Sequence, residues 1–580
     1  MNRKQRRAAG KQGPPSATRR AAPAADAAAE LFAEAEQMHR QHKLDEAARL
    51  YKRLLLLKPD DAKACNNLGL VLLAQGKRNE ASACFAQALT LMPQLFEQFG
   101  GICQTLAAVS PPIGEAVRRA LAAWPSRLTA NQLFDDAGRS AIYEDPLTLC
   151  MLQSVTARNI GFELVLTALR AAMLADAGNA WDDSALTFCS ALAMQCFINE
   201  YVFATTPDED AAVERLTQSV AEARSAHAPL LPAVVAAIAM YRPLSSLPDA
   251  QALLDQPWPP AVDAVVTQQL REPLQELQLR ASIPRLTPID DETSRRVQHQ
   301  YEENPYPRWV KAAGGITPTS LDVALRSKFP TAAFTPLEKP ESLDILVAGC
   351  GTGLAFQIAQ IYTGARVLAV DLSLSSLCYA KRKTPAPFSD RIEYVQGDIL
   401  KLGEIGRDFD LIDCAGVLHH MAEPFEGWRV LLTLLRPGGI MHLGFYSEIG
   451  RRDLVAARAF IGERGYASTP ADIRRCRQDL LGTPLRTVAR FRDFFSTSEC
   501  RDLLFHVQES RMGIPAIKDF IDGHGLKFVG FDLDDATAQE FRALFSANGW
   551  SMADLNKWDA VERQYPNTFD NMYMFWVQKS

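Results

Sequence analysis

The chain has 580 residues, enough for two to four domains that each bury a core, and a composition typical of globular proteins, with 47% hydrophobic and 22% charged residues. Its eleven cysteines are scattered with no Cys-x-x-Cys pair and no His/Cys cluster at metal spacing, which speaks against a disulfide framework or a zinc site. No apolar run approaches the roughly 18 residues needed to span a bilayer, and no signal-peptide core comes after the basic start, so a cytoplasmic protein without a membrane span is expected.

The net charge of −6 conceals an asymmetry, because Arg3, Lys4, Arg6, Arg7, Lys11, Arg19 and Arg20 stand at the start without an acid among them. Residues 1–27 are expected as a disordered, solvated basic leader, and nucleic acid is not an expected partner.

Pro59 and Pro93 then lie one 34-residue period apart. In the second unit Leu68, Gly69, Ala81, Phe85, Ala88 and Pro93 stand where two antiparallel helices need small and large residues to interlock. Ala35, Ala47, Tyr51 and Pro59 repeat the pattern more loosely. Residues 28–127 resemble the tetratricopeptide repeat family, with a shortened third unit ending at Pro125. The resemblance implies a concave face for a protein or peptide; capping of the helical region and homo-oligomerisation are the competing uses.

Over 128–290 the Ala/Leu-rich segments Pro146 to Asp176 and Ser184 to Ala204 predict helices of about 15 residues or more, and a Pro-rich break interrupts the helical pattern at Leu253 to Pro260. A helical scaffold is expected there, without chemistry of its own.

Tyr301-Glu-Glu-Asn-Pro-Tyr-Pro-Arg-Trp309 is an extended segment fixed by Pro305 and Pro307. Two readings stand. It folds over a ligand cleft, with Arg308 near a carboxylate and Tyr306 or Trp309 near a cation, or it anchors the linker to the helices.

Leu343 to Gly353 reads as a buried strand entering a glycine turn. Gly349, Gly351 and Gly353 predict positive φ and close ligand approach, with the next helix directing free N–H groups at an anionic or carboxylate-bearing ligand. Leu354 stands where a dinucleotide fingerprint needs its third glycine, which argues against a pyrophosphate. A second apolar run ends in Asp371, able to accept both ribose hydroxyls of a nucleoside; a third is followed by Gly397 and Asp398, an acceptor for an adenine amino group; a fourth ends at Ala415 and Gly416, small enough to leave room for a base.

The glycine turn, Asp371, Asp398 and Leu435-Arg-Pro-Gly-Gly439 are four ordered motifs that together resemble the class I S-adenosylmethionine-dependent methyltransferases. The resemblance implies an α/β Rossmann-like seven-stranded methyltransferase domain with an antiparallel final hairpin over residues 291–580, preceded by the all-α helical-repeat region. It further implies S-adenosyl-L-methionine as cofactor, held by Gly349, Cys350, Gly351, Gly353, Asp371, Leu372, Asp398, Ile399, Ala415, Tyr306 and Arg308. Val347 stands where the family often has an acidic residue.

His419 and His420 come after the fourth strand at the ligand end of the sheet, where either is placed to act as base; alternatively one stacks beside the adenine and the other packs. Tyr446, at the end of the fifth strand, is the next candidate for substrate contact. An arginine-rich insertion, about 450–492, takes the place of a substrate lid or presents a solvated helix face. The expected activity is methyl transfer to an acceptor the sequence does not identify, with the repeats recruiting a protein partner or substrate; the alternative is an interaction scaffold whose domain binds cofactor without turnover.

Overall fold

The computed structural model describes residues 21–96, 101–311, 316–339 and 341–580, with side chains from residue 27 onward. The basic cluster from Arg3 to Arg20 lies outside the described residues, and the first helix, Ala21–Arg40, begins inside the stretch expected as leader.

The repeat signal becomes two helical hairpins, Ala21–Arg40 with Leu44–Leu57 and Ala62–Ala74 with Arg78–Leu91. Gly69 shows why the pattern matters: a Cβ there would lie 2.7 Å from Cε1 of Phe85, so the glycine is the seat of that ring. The shortened third unit is Ile102–Val109 followed by Pro111–Ala123. Beyond it, one apolar core from Ala28 to Leu270 joins the repeats to the helical scaffold, so the two pack as one layer system. The Pro146 to Asp176 segment holds two helices, Pro146–Ser154 and Ile160–Asp176, of which only the second reaches the expected length. Asn159 starts the second, its side chain accepting from the Phe162 N–H at 3.0 Å, an N-cap that a periodicity count passes over.

The carboxyl half is a twisted sheet of eight strands: β1 (Asp344–Ala348), β2 (Arg366–Asp371), β3 (Ile392–Gln396), β4 (Phe409–Cys414), β5 (Leu435–Ser447), β6 (Arg511–Met512), β7 (Leu526–Phe531) and β8 (Met572–Lys579). Their order is β3-β2-β1-β4-β5-β8-β7, with the two-residue β6 paired to β5. Strands β1 to β5 are parallel and β8 runs antiparallel between β5 and β7, so the expected seven-stranded order is present with one short strand added. Ile345 to Ala348 are all 0% exposed because helices cover both faces, which is what their uninterrupted apolar run encodes.

Two boundaries shift. Leu286 N–H donates to Gln396 O at 2.7 Å and Gln396 N–H to Pro284 O at 2.9 Å, so the sheet edge recruits chain that precedes residue 291. The insertion continues past 492 through Thr497–Phe505 and has its own core from Leu454 to Leu504. Of its arginines, Arg475 is exposed as a solvated face requires, but Arg451 and Arg477 are wholly buried and ion-paired.

Candidate functional site

At the carboxyl ends of β1 to β5 lies a cavity of about 1550 Å³. It exceeds the roughly 300 to 1,000 Å³ typical of a single small-ligand pocket, leaving room for two molecules.

The loop after β1 is held by its neighbours. Gly349 and Cys350 donate their N–H groups to Val370 O at 2.8 and 2.9 Å, and Gly351 donates to Asp371 Oδ2 at 2.8 Å. Gly349 and Gly351 have φ of +78° and +51°, the left-handed region that glycine enters without strain. Gly353 does not: its φ is −168°, and a Cβ there would lie 2.3 Å from Trp309 Nε1. The third glycine therefore makes room for the aromatic strap and not for positive φ, correcting that part of the expectation.

Asp371 accepts from Gly351 on one oxygen and from Ser373 N–H, at 2.8 Å, on the other. Burial pushes its carboxyl up to about 6 despite those two donors. Each oxygen keeps a lone pair for a further donor, as a ribose diol requires. Asp398 is 1% exposed and accepts from Leu400 N–H at 3.0 Å on Oδ1; the Ser294 hydroxyl faces its carboxylate, but no group among the described residues meets the buried Oδ2 at hydrogen-bond distance and angle. An orphaned acceptor of this kind fits an exocyclic amine and is costly without one. Cys350, Leu372, Ile399 and Ala415 line the same cavity.

The strap joins the two readings given for it. Trp309 Nε1–H donates to Thr352 O at 2.9 Å, the Thr352 hydroxyl to Pro307 O, and the Ser373 hydroxyl to Tyr301 O at 3.0 Å, so the segment is stitched to the loops after β1 and β2. Tyr306, Pro307, Arg308 and Trp309 line the cavity. Arg308, expected at a ligand carboxylate, ion-pairs with Glu200 at 3.1 Å and lies over the Phe197 ring, committing its charge to the helical half.

The two histidines separate. His419 is 0% exposed, faces Gly444 O through Nδ1 at 3.3 Å, stacks on Tyr446 at 3.5 Å, and is not among the lining residues, so it packs where a catalytic role was expected. His420 and Tyr446 do line the cavity. His420 Nδ1 lies 2.9 Å from Gln508 O, which only accepts, so its proton sits on Nδ1 and Nε2 presents a lone pair. Burial holds His420 below the usual imidazole range and His419 well below it.

Sequence reasoning missed the far wall. Asp502 and His506 from the insertion join His420, one polar atom of each lying within 4.8 Å of the others, a spacing that suits a metal ion. Gln508 N–H donates to His506 Nδ1 at 3.0 Å, leaving the proton of the neutral ring on Nε2. That nitrogen turns an N–H and not a lone pair toward the cluster, so the donor set does not fit a cation.

Residues 346–443 match the family model described as a methyltransferase domain, and residues 62–95 that of the tetratricopeptide repeat. Residues 346–443 are a methyltransferase domain. An uncharacterised protein of Synechococcus sp. is 31% identical over 223 residues, covering 35% of this chain and 51% of its own length. The ubiquinone biosynthesis O-methyltransferases of Coxiella burnetii (32% over 143 residues; 25% of this chain, 57% of theirs) and Xanthomonas campestris (30% over 163 residues; 27% and 62%) are also similar. The chain thus spans between half and two thirds of the length of these curated relatives. Among solved structures, PKMT2 from Rickettsia typhi aligns with a TM-score of 0.34 at 19% identity, over 45% of this chain and 53% of that one. S-adenosylmethionine is the cofactor of the methyltransferase domain, and the Gly351 turn, Asp371 and the open Oδ2 of Asp398 are the groups that fit it.

Proposed function

We propose that the chain transfers a methyl group from S-adenosylmethionine to an acceptor carried by, or presented on, a protein that the repeats recruit. Asp371 takes the ribose hydroxyls, Asp398 the adenine amine, and the Gly349–Gly351 turn lies against the amino-acid end, with no acid at buried Val347 to assist. Bound there, the cofactor would supply a methyl group activated by its bond to a sulfonium sulfur, which departs as the neutral thioether. The protein aligns the acceptor and excludes water, and such positioning can lower a barrier by about 7 to 11 kcal/mol. His420 Nε2 is the lone pair positioned to take a proton from the acceptor.

One observation carries the recruiting role. The cavity that holds Gly351 and Asp371 is also walled by Leu89, Pro93, Phe96 and Ile102, so a molecule bound at the repeat hairpins borders the same space as the cofactor loop. Calorimetric titration with S-adenosylhomocysteine tests the cofactor site. Labelling of a lysate with the tritiated methyl donor, split into protein, nucleic-acid and small-molecule fractions, tests the transfer. Label confined to nucleic acid would contradict the recruiting role.

A further inference from the structure

The far wall of the cavity has an unusual charge arrangement. Glu499 and Asp502 line it while only 4% and 6% exposed, and Asp493 stands behind Tyr306, whose hydroxyl donates to it at 3.5 Å; burial and the Glu499 charge push the Asp493 carboxyl up to about 7, so the wall's negative charge rests chiefly on Glu499 and Asp502. Tyr301, Tyr306 and Tyr446 face these acids; Tyr301 donates to Asp502 Oδ1 at 2.5 Å, and the Tyr301 and Tyr306 rings are 6.3 Å apart. The basic groups offset this only in part. Arg158 meets Glu499 Oε1 at 3.3 Å, Arg492 approaches Asp493 at 3.9 Å, and Arg451, over the Tyr446 ring, is ion-paired with Glu509. Burial holds His420 below the usual imidazole range and His506 well below it. Glu499 Oε2 is buried and makes no hydrogen bond among the described residues.

An orphaned carboxylate oxygen beside a second acid and the Tyr301 and Tyr306 rings is a poor setting for an anion. An oxygen nucleophile approaches the anionic form as it attacks, and these carboxylates oppose that charge. A nitrogen nucleophile ends the reaction with the positive charge that sulfur began with, and carboxylates and ring faces stabilise it.

We propose that this wall, built from Glu499, Asp502 and the Tyr301 and Tyr306 rings, is a binding subsite for a protonated alkylamine, the acceptor group of the transfer; the Tyr446 ring, covered by His419 and Arg451, backs it. The inference rests on the proposed methyl transfer and narrows its substrate class. Glu499 Oε2 accepts one ammonium N–H, the rings flank the others, and the proton the nitrogen sheds before it has a free lone pair passes to His420 Nε2.

The test uses the full chain saturated with S-adenosylhomocysteine and compares n-hexylamine with n-hexanol by ligand-observed NMR. The amine is expected to bind about tenfold or more tightly than the alcohol, as a charge-assisted hydrogen bond implies. Glu499→Gln is expected to erase most of that difference while leaving S-adenosylhomocysteine affinity unchanged. Equal binding of amine and alcohol to the unaltered chain overturns the subsite whether or not the variant folds. Loss of S-adenosylhomocysteine affinity in Glu499→Gln overturns it too, by assigning the carboxylate to the cofactor's own ammonium. Failure of the unaltered chain to bind S-adenosylhomocysteine is a different result, which removes the methyl-transfer reading itself.

Discussion

Arg477 and Glu163 meet in a bidentate ion pair, at 3.1 and 2.8 Å, buried between the insertion of the methyltransferase half and the helical scaffold. Arg477 also donates to Phe494 O at 2.7 Å and Val202 O at 3.1 Å, so its guanidinium is satisfied from three segments. Removing one partner of such a pair strands a buried charge at a cost of about 3 to 5 kcal/mol. Arg477→Met is expected to lose that much in chemical denaturation, and Arg477→Met combined with Glu163→Leu to recover part of it. A loss under about 1 kcal/mol, the worth of a surface pair, would mean the pair contributes nothing to joining the halves.

If Asp371 takes the ribose hydroxyls as proposed, cofactor affinity is expected to depend on pH. The Asp371 carboxyl is raised to about 6 by burial, and the charged form is the better acceptor for two ribose hydroxyls. S-adenosylhomocysteine affinity is therefore expected to fall as pH drops through 6, by at most about tenfold per unit. Asp371→Asn is expected to bind weakly with a flat profile from pH 5 to 8. A profile as steep in the variant as in the unaltered chain would place the titrating group elsewhere.

Gly353→Ala tests the strap. The new Cβ would fall 2.3 Å from Trp309 Nε1, so the indole and its bond to Thr352 O must move. Overpacking of this kind costs about 1 to 3 kcal/mol, and tryptophan fluorescence is expected to shift as the ring meets solvent. Unchanged fluorescence and stability would show that the strap does not depend on that glycine.

His419, His420 and His506 all sit below the usual imidazole range, chiefly through burial. A folded state that resists protonation binds fewer protons than the unfolded chain, so this contribution is present above about pH 6.5 and is lost as pH falls below it, by up to about 1.4 kcal/mol per unit for each ring. Asp371 acts in the opposite sense, since its raised carboxyl is relieved on protonation below 6. Imidazole carbon NMR is expected to find His420 mostly neutral at pH 6.5, and His420→Gln to bind S-adenosylhomocysteine normally while transferring methyl about a hundredfold more slowly. Half-protonation of His420 at that pH would remove burial as the dominant influence.

The machinery legible in the sequence is the part built from neighbours. The glycine turn, Asp371 and Asp398 each sit at the end of their own strand, so local spacing is enough to find them. Gly353 escapes that logic because spacing does not distinguish a glycine that admits a ligand from one that admits Trp309, 44 positions upstream. His419 and His420 look equivalent in sequence, and only the turn Leu418–His420 directs one to the cavity and the other under Tyr446. Glu499, Asp502 and Tyr301 were beyond reach for a related reason. They arrive from an insertion and a strap some two hundred residues apart, and no short-range pattern links them.

The strand-like contact at Pro284 to Leu286 has a practical corollary. Thr287 accepts from Asp398 N–H at 2.8 Å, and Leu286 and Pro284 bond the Gln396 backbone, so the linker buttresses Asp398 from behind the cavity. An excised catalytic half cut at residue 291 would keep every signature motif and still lack a neighbour that orients Asp398; a cut ahead of Arg280 keeps that neighbour.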